Sequence, residues 1–186
     1  MPPVGHAVPL EQTLWGDPAP HAALLHGGAQ GQIAICRGRG GWLQDFVGAA
    51  RLVAAVAAAA GEADTFVSQN TFAGPSRRVD TVRQLRSLFV DLDCYRCSLQ
   101  PAAALQEIEA RAQAGRIPWP SAALWSGRGL AAIWLLRPAP AQALPRWVAV
   151  EQALYLRSPL KPITESGHAD HLGEHNGSRA AQHRDR

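Results

Sequence analysis

The sequence contains almost no lysine: of its 18 basic residues, only Lys161 is not an arginine. It also lacks the runs of Lys and Arg that a strongly basic nucleic-acid-binding protein carries, and its formal net charge is only +3. A charge of this size permits binding to nucleic acid without requiring it. Arginine suits bidentate contacts with phosphate and carboxylate groups, although GC-rich coding would produce the same bias.

Features of membrane and secreted proteins are also missing. No window offers the roughly 18 uncharged apolar residues of a membrane-spanning helix, since Leu52–Ala60 is too short and too rich in alanine. Met1–Leu10 has neither the basic start nor the apolar stretch of a signal peptide. The three cysteines Cys36, Cys94 and Cys97 cannot all pair. These absences predict a cytoplasmic protein with reduced thiols and no membrane association.

Two common catalytic signatures do not occur. The sequence has no Gly-x-Ser-x-Gly nucleophile motif and no Gly-Lys-Ser/Thr phosphate-binding loop. What it does have is 186 residues, of which 47% are hydrophobic and 18% charged. That length and composition suit one soluble domain with a sizeable core.

The order of predicted elements favours an α/β or α+β fold around a mixed sheet. Alternation and β-branched or aromatic content predict the strands, and apolar spacing near 3.6 residues predicts the helices. The predicted strands are Gln32–Arg37, Asp64–Phe72, Leu88–Asp91, Ser121–Trp125 and Leu130–Leu136. The predicted helices are Leu43–Gly61, Thr81–Ser87, Leu105–Gly115 and Leu144–Tyr155.

Composition divides the chain into three parts. Residues 1–30 are rich in Pro, Gly and His and are expected to be a loose N-terminal segment with one short helix. Residues 31–160 hold the predicted elements of a single folded domain. Residues 161–186 carry four of the seven histidines and show no periodicity, which predicts a disordered tail.

The strongest local signal is the run Phe89-Val90-Asp91-Leu92-Asp93. Alternate side chains of a strand share a face, so Asp91 and Asp93 are expected to point the same way. Adjacent carboxylates repel each other unless a cation lies between them, and hard divalent cations prefer oxygen ligands. The pattern therefore predicts a Mg²⁺ or Mn²⁺ site, although aspartates are also common where a strand simply enters a turn.

A second signal is the segment Ser126-Gly127-Arg128-Gly129 between two predicted strands. Glycines let the backbone approach a ligand closely, and backbone N–H groups, a hydroxyl and a guanidinium can together hold a triphosphate. The alternative is a glycine-rich hairpin turn with an incidental arginine.

Arg77 and Arg78 follow a Gly-Pro loop, and Ser68-Gln69-Asn70 lies just upstream. The paired arginines can contact the phosphates of a nucleic acid, or they can be an ordinary solvated feature of the surface.

Cys94 and Cys97 have the spacing of a zinc or redox pair. Zinc would need two further ligands, for which His168, His171 and His175 are the candidates. An incidental pair of cysteines is the simpler interpretation.

Taken in order, these motifs resemble the archaeo-eukaryotic primase superfamily, in the form found in plasmid and phage replication proteins. The resemblance covers residues 30 to 160 and extends to Ser68–Phe72, followed by the arginine pair. It implies a sheet with an RRM-like half and a two-metal site that joins nucleoside triphosphates on single-stranded DNA. In that family Asp91 and Asp93 correspond to metal ligands, and Ser126–Arg128 to the start of the motif that contacts the nucleotide. The resemblance also implies a replicative helicase or relaxase as a partner.

The sequence departs from this family at two places. The nucleotide motif usually continues to a histidine where this chain has Ala131, and the third carboxylate, usually on a later strand, has only Asp170 as a candidate. The tail therefore predicts a chain shortened or altered at its C-terminus. Two alternatives follow: an inactive fragment that binds nucleic acid or a replication partner, and a metal-dependent phosphohydrolase that uses no template.

Overall fold

The computed structural model describes residues 18–38, 43–125 and 129–157. Its strands are β1 (Gln32–Arg37), β2 (Leu43–Gly48), β3 (Thr65–Val67), β4 (Thr71–Phe72), β5 (Val82–Leu92), β6 (Ala122–Trp125) and β7 (Leu130–Pro140). Its helices are α1 (Pro18–His26), α2 (Ala49–Ala58), α3 (Pro101–Gln113) and α4 (Leu144–Arg157).

The strands form one seven-stranded sheet in the order β2-β1-β4-β5-β7-β6, with β3 also paired to β1. The α+β class predicted from the sequence is confirmed. The sequence predicts a mixed sheet, whereas every pairing between the described strands is antiparallel. The predicted tail lies outside the described residues, as do Met1–Asp17 of the predicted N-terminal segment.

The sheet is packed on both faces at β1, since Ile33 and Ile35 belong to one buried cluster and Ala34 and Cys36 to another. On one face, α1 and α2 cover Ile33 and Ile35 of β1 and Val47 of β2. The larger core lies where α3 and α4 pack against β5 and β7, and its strand residues include Leu88, Val90, Leu92, Ala132 and Trp134. None of the helices in the described ranges has the length and apolar character needed to cross a bilayer.

Helix α3 shows how local sequence sets the elements of this core. Pro101 occupies the start of the helix, where its missing N–H costs no hydrogen bond. Ala104, Ile108 and Ala112 recur every four residues and are all buried against the sheet. The helix stops just before Gly115, which has a φ of +69°. The prediction of this helix is confirmed.

The predicted helix from Leu43 to Gly61 is wrong in its first half. Leu43–Gly48 is strand β2, which pairs with the whole of β1, and the helix begins only at Ala49. The neighbours Phe46 and Val47 are both apolar because they pack on opposite faces of the sheet. Two adjacent apolar residues imitate helical spacing when a strand is buried on both sides.

The predicted helix Thr81–Ser87 is also wrong, because Val82 already begins the eleven-residue strand β5. The register between β5 and β7 shifts between Leu85 and Ser87. Across this shift β7 has two residues more than β5, and the consecutive β5 residues Leu85, Arg86 and Ser87 are all buried. The resulting run of buried residues hides the two-residue period of the strand.

Gly31, just before β1, is required by its surroundings. It has a φ of +94°, and a Cβ atom there would lie 2.5 Å from the Phe72 carbonyl oxygen. Gly28 has a φ of +66° but no atom within 4 Å of such a Cβ. We expect Gly31→Ala to cost about 3 kcal/mol of unfolding free energy and Gly28→Ala only about 1 kcal/mol, since the latter adds backbone strain without a clash. Urea denaturation of both variants tests this, and equal losses would contradict it.

Candidate functional site

The two aspartates lie at the C-terminal end of β5. Asp91 is within the strand, and Asp93 immediately precedes a 3-10 turn, Cys94–Cys97. Both residues are exposed, whereas Leu92 between them is 1% exposed and packs in the core beneath α3 and α4. The buried leucine thus directs its two acidic neighbours toward solvent, as the alternation in the sequence predicts.

The hairpin of β6 and β7 ends beside these aspartates. Trp125 pairs with Leu130, and Leu130 also pairs with Leu92 of β5. The residues on either side of the segment 126–129 therefore lie at the same end of the sheet as Asp91 and Asp93. Ser126, Gly127 and Arg128 themselves lie outside the described residues, so their predicted contact with a triphosphate stays a prediction; Gly129 is described as a bend leading into β7.

Asp91 shares a row of the sheet with two small or apolar residues. Its direct partner on β7 is Ala131, which in turn pairs with Leu124 on β6. Paired residues of adjacent strands project from the same face. Ala131, the position where the resembled family usually has a histidine, is therefore directly opposite the first aspartate. The exposed rings of Tyr95 and Trp125 also belong to this end of the sheet, and the sequence pattern gives no signal for them.

The edge of β5 that leads to Asp91 is covered by a helix. Trp147 of α4 donates from Nε1 to the Ser87 carbonyl oxygen at 2.7 Å. Glu151, one turn later, accepts the Phe89 N–H at Oε1 at 3.2 Å. Burial raises the pKa of Glu151 to about 8, while the bond from Phe89 acts in the opposite direction. Sequence reasoning misses both residues, because each contact spans about sixty positions along the chain.

The segment Ser68–Asn70, which resembles part of the primase pattern, joins three elements of the fold. Ser68 Oγ accepts the Ala34 N–H at 3.0 Å, and Asn70 Oδ1 accepts the Arg86 N–H at 2.9 Å. Gln69 Oε1 accepts from the hydroxyl of Ser87, which is fully buried. These polar groups satisfy two backbone donors and one buried hydroxyl of β1 and β5, so a structural role explains them.

Arg77 and Arg78 precede β5, whereas Asp91 ends it. Arg77 Nη1 donates to the Sγ of Cys36 on β1, and Arg78 forms an exposed ion pair with Asp80 at 3.1 Å. The ten residues from Val82 to Asp91 advance about 30 Å along the strand. The structure thus places the arginine pair before the strand whose far end carries the aspartates.

Other candidate ligands do not gather in the described part of the chain. No group of three or more His, Cys, Asp or Glu side chains suited to a metal ion is found among the described residues. Cys94 is buried in the core around β5 and α3. The side chain of Cys97 and the residues His168, Asp170, His171 and His175 fall outside what the structure describes, and the zinc hypothesis stays untested.

His26 at the end of α1 is a second buried titratable group. Its Nε2–H donates to the Ser68 carbonyl oxygen at 2.7 Å, and the side chain is 1% exposed. Burial lowers the pKa of His26 to about 4, helped by the nearby charges of Arg86 and His21 and opposed by the bond to Ser68. Arg86 itself donates to the α1 carbonyls of Leu25 and to that of Gly27, at 2.8 and 2.9 Å. This cluster fixes α1 to β5.

Acid should therefore destabilise the chain through His26. A histidine whose pKa is lower in the folded state stabilises the fold above pH 6.5, and that contribution is lost as the pH falls toward 4. We expect the loss to be about 3 kcal/mol, at about 1.4 kcal/mol per pH unit. Urea denaturation at pH 7 and pH 4 should show His26→Gln losing less stability than the unaltered chain by this amount. The same acid sensitivity in both proteins would contradict the assignment.

The chain is similar in sequence to a protein from Clostridium perfringens. The chain is 37% identical over 90 residues to a protein named "Replication protein" from Clostridium perfringens. The match covers 48% of this chain and 22% of that protein, so the chain spans about a fifth of its relative's length. No family model matches the chain, and no solved structure matches it.

Proposed function

We propose that this chain is a primase-like nucleotidyltransferase domain of plasmid or phage replication, which synthesises primers on single-stranded DNA by two-metal catalysis. One observation carries the proposal: the register of β5, β7 and β6 brings the exposed Asp91 and Asp93 to the end of the sheet where Trp125 and Leu130 flank the Ser-Gly-Arg-Gly segment. The similarity to a replication protein supports a role in replication.

The donor chemistry of the aspartates fits a hard divalent cation. Both are exposed carboxylate residues on either side of one buried leucine, and Mg²⁺ and Mn²⁺ prefer oxygen ligands. When bound there, such ions supply charge neutralisation for the attacking 3′-hydroxyl and the transferred phosphate. In this proposal Asp91 and Asp93 would hold the ions.

The remaining residues bind substrate and template in this proposal. Ser126 to Gly129 contact the triphosphate of the incoming nucleotide through backbone N–H groups and the Arg128 guanidinium. The exposed rings of Tyr95 and Trp125 offer surfaces on which nucleobases stack. Arg77 and Arg78 contact template phosphates away from the reacting centre, so their contribution to binding should weaken as salt rises.

A second candidate function is binding without catalysis. It is favoured by Ala131, which stands directly opposite Asp91 and offers no side-chain donor to a triphosphate. In that case the chain would hold single-stranded DNA or a replication partner and perform no chemistry.

Primer synthesis on single-stranded DNA separates these functions. The full chain is incubated with single-stranded DNA, labelled nucleoside triphosphates and Mn²⁺, beside the double variant Asp91→Ala/Asp93→Ala. Template-dependent product that the double variant does not form supports the proposal. Phosphate release without a template would indicate a phosphohydrolase. DNA binding with no product from a folded chain would favour the binding function.

A further inference from the structure

Side chains of helix α4 contact part of one edge of β5, the strand that carries Asp91. One edge of β5 pairs with β7 as far as Leu92. The opposite edge pairs with β4, but only from Val82 to Gln84. Beyond Arg86, the side chains of Trp147 and Glu151 of α4 contact the backbone of this edge. The backbone leading to the aspartates is therefore held by helix side chains on this side.

The contacts of α4 follow the spacing of the strand. Four residues along a helix rise about 6 Å, and two residues along a strand advance about 6.6 Å. Trp147 and Glu151 are four apart, and their partners Ser87 and Phe89 are two apart. The helix thus supplies side-chain contacts to two neighbouring backbone groups of this edge, the Ser87 carbonyl oxygen and the Phe89 N–H. The second contact lies two residues before Asp91.

We propose that Glu151 is a positioning residue for the aspartate end of β5, and that it sets the affinity of Asp91 and Asp93 for a divalent cation. The inference rests on the proposed function, because it assumes that these aspartates bind metal. Glu151 acts through the Phe89 N–H, which it fixes at 3.2 Å. Without an acceptor, this partly buried N–H would be unsatisfied, and the strand end would shift to find another partner.

The chemistry of Glu151 suits this role better than that of a third ligand. Burial raises its pKa to about 8, so the side chain is mainly protonated at neutral pH and accepts through its carbonyl oxygen. A neutral carboxyl adds no charge beside the aspartates. Glutamine, which is neutral and keeps that oxygen, is the conservative replacement, and leucine removes the acceptor while keeping a similar volume.

The experiment measures Mn²⁺ binding to the full chain by calorimetry. We expect Glu151→Gln to bind as the unaltered chain does, and Glu151→Leu to bind about 10-fold more weakly. This is the lower end of the range for outer partners of metal ligands, because Glu151 acts on Asp91 only through the backbone of Phe89. Trp147→Phe is the matched control: it removes the same kind of edge contact at Ser87, four residues from Asp91, and should leave the Mn²⁺ affinity unchanged. Folded Glu151→Leu with normal affinity would overturn the proposal.

A second measurement covers the case in which Glu151→Leu does not fold. Amide hydrogen exchange should show the Phe89 N–H protected in both the unaltered chain and Glu151→Gln. Rapid exchange of this amide in either protein would overturn the positioning role without reference to metal. Failure of the unaltered chain to bind Mn²⁺, with Phe89 protected, would instead overturn the proposed function and with it the role of Glu151 in metal affinity.

Discussion

Replacing Asp91 by asparagine should reduce nucleotide incorporation by more than about 100-fold while leaving the fold intact. Even outer partners of metal ligands cost roughly 10- to 100-fold when removed, and a direct carboxylate ligand should cost more. Asparagine has nearly the same shape but no charge, so it removes the electrostatic attraction for the cation. Because Asp91 is exposed, its replacement should change the unfolding free energy by no more than about 0.5 kcal/mol.

The matched variants of this prediction are Asp93→Asn and Asp80→Asn. Asp93→Asn should lose activity to a similar extent, since a two-metal site uses both carboxylates. Asp80 is also exposed and lies before β5, where it pairs with Arg78, so Asp80→Asn should keep full activity. Rates of labelled nucleotide incorporation at saturating Mn²⁺, with thermal melts as a folding control, decide the matter. Equal rates for Asp91→Asn and Asp80→Asn would show that Asp91 takes no part in the reaction.

The elements that could be predicted from the sequence are those whose ends are marked by glycine. The strand Gln32–Arg37 is confirmed with its predicted bounds, and the helix ending near Gly115 and the hairpin of β6 and β7 are confirmed as well. The two wrong helices share one physical cause. At Phe46 and Val47, and again at Leu85 to Ser87, side chains of a strand are buried on both faces or around a bulge. Local periodicity carries no information about such burial.

Some residues of the candidate site could likewise be predicted from the sequence, and others could not. Asp91 and Asp93 follow a buried apolar run, so alternation alone predicts that they share the exposed side of the strand end. Glu151 gives no such signal. It reads as an ordinary polar residue of an amphipathic helix, and its role depends on where α4 packs against β5. Long-range contacts of this kind require the fold itself, because nothing near position 151 in the chain specifies its partner.

Glu151→Gln should make the chain more stable at neutral pH. In the folded state burial raises the pKa of Glu151 from 4.5 to about 8. A carboxyl whose pKa is raised on folding contributes stability that is fully present below pH 4.5 and is lost as the pH rises through 8. At pH 7 the folded chain must keep a proton that the unfolded chain has released. At about 1.4 kcal/mol per pH unit, this costs up to about 3 kcal/mol.

Glutamine keeps the oxygen that accepts the Phe89 N–H but has no proton to lose. The gain in unfolding free energy of Glu151→Gln should therefore be about 3 kcal/mol at pH 7 and close to zero at pH 4, as measured by urea denaturation. Glu109→Gln on α3 is the control, and its effect should be small at both pH values. A gain of the same size at both pH values would mean that packing, rather than the proton, explains the difference. A gain confined to neutral pH would show that keeping Glu151 protonated in the folded chain lowers the unfolding free energy. Such a loss is expected of a residue that is retained for its position beside the strand of Asp91 rather than for stability.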